Sequence, residues 1–395
     1  MLRKLFFGVF VCALLVLPFV SPSTSSAEQP RNVIILIGDG MGFEHVKAAG
    51  MYANGAAGTL SFESMPYTAE MTTHSADNAV TDSAAGGTAI ATGYKVNNGV
   101  VSVARPANDQ YAFGEDMQTL LEYYKARGRA TGLVSTSYIS HATPATFGAH
   151  QSSRNNYTEI IDDYFDKSRP DVLMGGAKYV TGERATSAGY TVVTDGSGLA
   201  GLDPDTADRV WGQFGGDHMP YEYDGLGALP HLSEMTAAAL SVLEKDDDGF
   251  FLMVEGARID HASHSNDLER AVTETVEFDN ATQLVLDWAQ GRTDTLVLVT
   301  ADHETGGLKV LENNGEGEFP SVSWSTTGHT GDRVPLYAWG RNAEHVSGVM
   351  DNTDLFEVAT VPEPATMSMA AVMSVGGLLM LRRRGTGLAV GEKRP

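Results

Sequence analysis

The sequence predicts an α/β fold: a central, largely parallel β-sheet flanked by helices on both faces. Three observations predict it. Six short, continuous apolar runs recur along the chain, helical patterns lie between them, and each run ends in polar residues. The runs are VIILIGDGMG from Val33, ATGLVSTS from Ala130, DVLMGG from Asp171, FFLMVEG from Phe250, TLVLVTADHE from Thr295 and VPLYAWG from Val334. Unbroken β-branched and apolar stretches of this kind read as strands buried on both faces, because a half-exposed strand would alternate. Helical spacing covers Gly114 to Arg127, Met235 to Lys245 and Asp267 to Gln290. Ligands of such sheets sit beyond the carboxyl ends of the strands. Asp39, Glu255, Asp302 and His303 all stand at or just past a predicted strand end, so one edge of the sheet is expected to gather them.

The 395 residues are enough for a sizeable core, and 43 glycines imply many tight turns and close backbone approaches. Net charge is −23; the first 27 residues carry two positive charges and the tail from Pro362 a surplus of three, so the body between them stands at −28. That surface excludes nucleic-acid binding through a basic face. A small anionic substrate would need its positive charge delivered locally, by metals or a placed arginine.

The two ends read differently from the body. Residues 1–27 run from Arg3 and Lys4 through an apolar stretch to Ser25-Ser26-Ala27, the order of a secretory signal peptide. Residues 361–395 carry a Pro-Glu-Pro triplet, a short apolar segment at about 367–381 and the cluster Arg382–Arg384. This tail resembles the PEP-CTERM sorting signal, which implies a membrane sorting machinery as partner, with a short transmembrane segment before processing. Residues 28–360 are then expected to be the folded domain, exported to the periplasm, the outer surface or the medium. The only cysteine, Cys12, lies in the leader, so the remainder forms no disulfide.

Within the body, ILIGDGMG presents Asp39 between two glycines. VEGARIDHASHSND carries Glu255, Asp260, His261 and His264, and the four-residue spacing of Asp260 and His264 puts them on one face of a helical turn, as two ligands of one metal must be. VTADHETGG sets Asp302 and His303 where a chain leaves its strand, and STTGHTGDRVPLYAWG adds His329 in the loop before another. Asp and His donors of this kind suit zinc. YISHATPATFGAHQSSRNNY supplies His141, Thr143, His150 and Arg154, the last a planar fork suited to phosphate.

GDGMG, VTDSAAGGTA, HATPA…AHQSSR, VEGARIDHASH, TADHETGG and TTGHTGDRVPLYAWG stand in the order of the metal-dependent alkaline phosphatase family, which the chain resembles over roughly residues 32 to 340. The resemblance implies an alkaline phosphatase-like fold and hydrolysis of small phosphate monoesters through a phosphoseryl intermediate on Ser83. It implies two Zn2+ and one Mg2+. Asp39, Asp302 and His303 would hold the zinc beside the nucleophile, Asp260, His264 and His329 the zinc on the leaving-group side, and Asp39, Thr143 and Glu255 the magnesium. Arg154 matches the phosphate-binding arginine, and a homodimer is among the assemblies allowed. If Ser83 opens a helix, its small followers, Ala84 to Gly87, let that helix end lie close to the metals. Asp82 receives no metal and is expected to support the nucleophile turn through hydrogen bonds.

Two positions depart from the simplest pattern. His141 stands where some bacterial members carry Asp, and imidazole suits magnesium poorly; it is either outside the ligand set or a ligand for another metal. His261 falls where members carry Lys or His, and would reach phosphate through water. Sulfatase chemistry needs Cys/Ser-x-Pro-x-Arg, and Ser83-Ala-Ala-Gly-Gly closes that route. A phosphodiesterase of the same superfamily remains the alternative, and a non-catalytic surface-anchored protein the remote one.

Overall fold

The unbroken apolar runs form the middle of the sheet in the computed structural model, which describes residues 29–361. The expected leader and, apart from Val361, the expected sorting tail lie outside the described residues. Among those described, no helix is long and apolar enough to cross a membrane. The strands are β1 (Asn32–Gly38), β2 (Tyr67–Thr72), β3 (Ala130–Tyr138), β4 (Val172–Gly176), β5 (Thr191–Val193), β6 (Val210–Gln213), β7 (Phe250–Gly256) and β8 (Thr295–Thr300). They continue with β9 (Glu304–Thr305), β10 (Lys309–Glu312), β11 (Ser321–Ser323), β12 (His329–Thr330), β13 (Val334–Gly340) and β14 (Gly348–Asp351).

Ten of these build one sheet in the order β14-β2-β13-β8-β1-β7-β3-β4-β6-β5, while β10 with β11 and β9 with β12 form two small ribbons. All pairings in the large sheet are parallel except those of β13, which runs antiparallel to β2 and β8. The six expected strands are all present. β1, β7 and β8 are buried along their whole length, as strands covered by helices on both faces must be. The sequence reading missed β2, whose outer residues are exposed and whose burial alternates, and the short β5 and β6 at the far edge.

Of the expected helices, Leu232–Leu243 and Leu268–Ala289 match closely. The one expected over Gly114 to Arg127 shrinks to Leu120–Lys125. Thr119 and Glu122 form a capping box that starts it there, and the residues before it are used in a bridge between Val103 and Asp116. Helices Phe43–Asn54, Leu232–Leu243 and Leu268–Ala289 pack together as one group, and Ser83–Thr92, Leu120–Lys125, Ala142–Gly148 and Asp354–Thr360 as another.

Ser83–Thr92 is buried at all ten positions. Its small residues are a requirement of approach. A Cβ on Gly86 would lie 2.8 Å from the carbonyl oxygen of Asp302, and one on Gly87 2.7 Å from Thr146 Oγ1. The first contact is with backbone at a strand exit, which has little freedom to yield. Gly86→Ala is therefore expected to destabilise the protein by about 1–3 kcal/mol through overpacking. Urea unfolding checks this; a wild-type midpoint would show that the strand exit gives way.

Candidate active site

Sheet register brings the acids together. Ile37 of β1 lies level with Glu255 of β7 on one side and Thr300 of β8 on the other, so Asp39, Glu255 and Asp302 leave three adjacent parallel strands at one edge. Gly40 makes this possible. Its φ is +72°, and a Cβ there would come within 2.9 Å of Asp260 Oδ1 and 2.8 Å of Thr305 Oγ1. β3 ends beside β7, with Ser135 level with Glu255, and delivers His141 just beyond.

Ser83 is the first residue of its helix and Asp82 is the cap. The Asp82 carboxylate accepts from the Ala85 amide at 3.0 Å and from the Gly99 amide through both oxygens, also at 3.0 Å. It also pairs with Arg154 Nη1 at 3.0 Å, so the residue that caps the nucleophile turn fixes the guanidinium. Ser83 Oγ is buried and lies 3.2 Å from His303 Nε2.

Three groups of donors surround this serine, each with its ligand atoms within 4.8 Å of one another: Asp39, Asp302 and His303; Asp260, His264 and His329; and Asp39, His141 and Glu255. The first two are the sets expected of the two zinc sites. The third places His141 among the acids of the magnesium set, with Thr143 two residues further along and fully buried. The two zinc-type sets adjoin, since the rings of His303 and His329 stack at 3.6 Å.

The donor set fits divalent cations. Both oxygens of Asp39, Asp302 Oδ2, Glu255 Oε1 and Thr143 Oγ1 are buried without a hydrogen-bond partner among the described residues. Burial and the neighbouring carboxylates push Asp39 well up, Asp302 up to about 8 and Glu255 to about 7, the last against hydrogen bonds that lower it. Bound cations remove this repulsion. The imidazoles are also turned for ligation: His264 Nδ1 donates to the Thr327 carbonyl at 2.6 Å and His329 Nδ1 to the Thr81 carbonyl at 2.9 Å. Each Nε2 is thereby turned toward Asp260, at 3.3 and 3.6 Å, and the hydrogen bond to Asp260 raises His264 to about 9. His303 Nδ1 meets Thr305 Oγ1 at 3.3 Å, and that hydroxyl in turn donates to Asp260 Oδ1 at 2.5 Å.

Around the sites, His261 receives Arg258 Nη1 on its Nδ1 at 2.8 Å. Since an arginine only donates, the neutral ring carries its proton on Nε2. Arg154 Nη2 lies 3.4 Å from His141 Nε2. His150, grouped with these by sequence, is turned away and bonds Glu122 and the Ser102 carbonyl. The sequence reading missed Thr305, Arg258, His218, and the hydroxyls of Ser135 and Ser137 that hold Glu255. Their roles come from contacts made through space, and no local pattern marks them.

Comparison with known proteins agrees with this geometry. The family model for alkaline phosphatase matches residues 30–319 and 312–362. Alkaline phosphatase 3 of Bacillus subtilis is 33% identical over 83% of this chain and 88% of its own length. Streptomycin-6-phosphate phosphatase of Streptomyces griseus is 35% identical over 89% of this chain and 96% of its own. The solved alkaline phosphatase of the Antarctic bacterium TAB5 is 30% identical, covers 84% of this chain and 98% of that one, and superposes with a TM-score of 0.74. Variants of that enzyme in which a histidine is replaced by Glu or Asp carry Mg in the M3 site. The chain belongs to the alkaline phosphatase family.

Proposed function

We propose that Ser83 is the nucleophile with which this chain, a metal-dependent phosphomonoesterase, releases inorganic phosphate from phosphate monoesters. One observation carries the reading: a buried serine hydroxyl at a helix N-terminus lies 3.2 Å from His303 Nε2, beside carboxylate oxygens that have no other partner. Asp39, Asp302 and His303 would hold one zinc, Asp260, His264 and His329 the other, and Asp39, Thr143 and Glu255 the third ion. Divalent ions at these positions supply Lewis acidity to the nucleophile and leaving oxygens. Ser83 Oγ gives its proton to water as it attacks phosphorus in line; the Oγ–P bond forms as the ester P–O bond breaks and the leaving oxygen takes a proton from water. A second water then breaks the Oγ–P bond, returning the serine hydroxyl and freeing inorganic phosphate. Arg154, steadied by Asp82, offers its remaining N–H groups to the equatorial oxygens, and the helix N-terminus adds positive potential. His261, fixed as an Nε2–H donor, is read as reaching phosphate through water.

His141 supports a ligand role at the third site, since its Nδ1 is buried without a partner and the ring stands within reach of Asp39 and Glu255. Imidazole there favours a softer ion than magnesium, in keeping with the magnesium carried by the Antarctic enzyme's His-to-acid variants. The leader read from residues 1–27 supports export.

Ser83→Ala is expected to lower phosphomonoesterase turnover on the order of a thousandfold while metal content stays near wild type; activity within tenfold of wild type would remove Ser83 from the role. Faster hydrolysis of bis-p-nitrophenyl phosphate than of the monoester would favour the diesterase instead. Dialysis against a chelator is expected to abolish activity and lower the melting temperature, with zinc and magnesium restoring both; an unchanged melting curve would contradict the metal reading. His141→Asp is expected to raise the magnesium bound per chain after equilibration in mixed zinc and magnesium, and an unaltered metal ratio would place His141 outside the ligands.

A further inference from the structure

Beyond the phosphate pocket lies a set of stacked rings that the chemistry above does not use. Tyr157 begins the helix Tyr157–Asp163, three residues after Arg154, and Tyr179 follows the end of β4 at the same edge of the sheet. Their rings stack at 4.7 Å with 12° between planes. Tyr138, at the end of β3, meets both edge-on at 5.5 and 5.6 Å, and meets the ring of His141 at 5.2 Å. His218 closes the row, 4.5 Å from Tyr138 and 4.4 Å from His261. Rings therefore run without a break from the two histidines at the phosphate pocket to Tyr179.

We propose that Tyr157 and Tyr179 form a stacking shelf for the leaving group, so that the favoured substrates are monoesters carrying a planar aromatic ring, as nucleoside and aryl monophosphates do. The inference rests on the phosphomonoesterase reading. Tyr179 keeps 43% of its surface exposed while one face is covered by Tyr157. It is also held at φ +67°, a left-handed backbone that costs a bulky residue free energy and gathers at functional positions. The shelf is held in place from the side. Lys178 Nζ lies 3.0 Å from both oxygens of Asp217 and 5.1 and 5.4 Å from the rings of Tyr138 and Tyr179. Stacking on such a surface tolerates many rings, because each offers a π-face.

The test compares adenosine 5′-monophosphate and phenyl phosphate with glycerol 2-phosphate, which has no ring, using the metal-loaded protein. In Tyr179→Ala the kcat/KM ratio of adenosine 5′-monophosphate to glycerol 2-phosphate is expected to fall about five- to tenfold, and in Tyr179→Phe to hold. A parallel fall for phenyl phosphate extends the shelf to aryl rings, while a fall for the nucleotide alone assigns it to nucleosides. A ratio unchanged by Tyr179→Ala, or lost equally in Tyr179→Phe, overturns the shelf. Equilibrium dialysis of adenosine 5′-monophosphate separates the two readings. Binding that depends on Tyr179 in a protein with no turnover on any ester keeps the shelf and defeats the phosphatase reading.

Discussion

Asp39, Glu255 and Asp302 are buried side by side at the ends of neighbouring parallel strands, with Asp260 buried on the helical turn that follows β7, and the rest of the active edge depends on that crowding. In this low-dielectric site burial and mutual repulsion raise Asp39, Glu255 and Asp302, while the facing imidazoles of His264, His303 and His329 lower Asp260. Only partly is this relieved by protein donors. Asp302 Oδ1 accepts from the Gly40 and His303 amides at 3.2 and 3.0 Å, while its other oxygen stays unmatched. The strand register thus stores an unfavourable arrangement that cations reverse, and so couples metal binding to the stability of the sheet edge.

The same constraint explains the small helix. For Ser83 to stand 3.2 Å from His303 Nε2, the helix it opens must lie against the strand exit that carries Asp302, and Gly86 is the residue that touches it. Asp82 then serves two structures at once. Its carboxylate caps the helix, an interaction worth on the order of 1 kcal/mol, and holds Arg154 through Nη1, while Nη2 lies 3.4 Å from His141 Nε2. Charge alone would have suggested a catalytic acid here; the geometry gives it a positioning task, as its place outside the metal pattern led one to expect.

The central strands were legible because burial on both faces writes itself into sequence as an unbroken apolar run. β2, β5 and β6 were not, since a strand with exposed residues or only a few positions leaves no such run. The clusters of Asp, Glu and His donors were legible for a related reason: residues at strand ends and at i, i+4 on a helical turn are neighbours in sequence as well as in space. Thr305, Arg258 and the ring row from His218 to Tyr179 come from separate elements and loops, and no local pattern announces them. The helix read over Gly114 to Arg127 failed where tertiary pairing of Asp116 with Val103 overrode helical spacing.

Imidazole orientation shows how far the site's chemistry is set by residues that never touch the substrate. His264 and His329 each donate Nδ1–H to a backbone carbonyl, of Thr327 and Thr81, and His303 uses the Thr305 hydroxyl. A carbonyl can only accept, so each of those two bonds fixes a proton on Nδ1 and turns Nε2 toward Asp260. Thr81 lies immediately before the Asp82 cap, so the segment that orients His329 also orients Ser83 and Arg154. A displacement of that turn would disturb Ser83, Arg154 and His329 together. Selection of small side chains in Ser83–Thr92 and selection of ligands at the strand ends are therefore one requirement: the turn has a single position in which both halves of the site are complete.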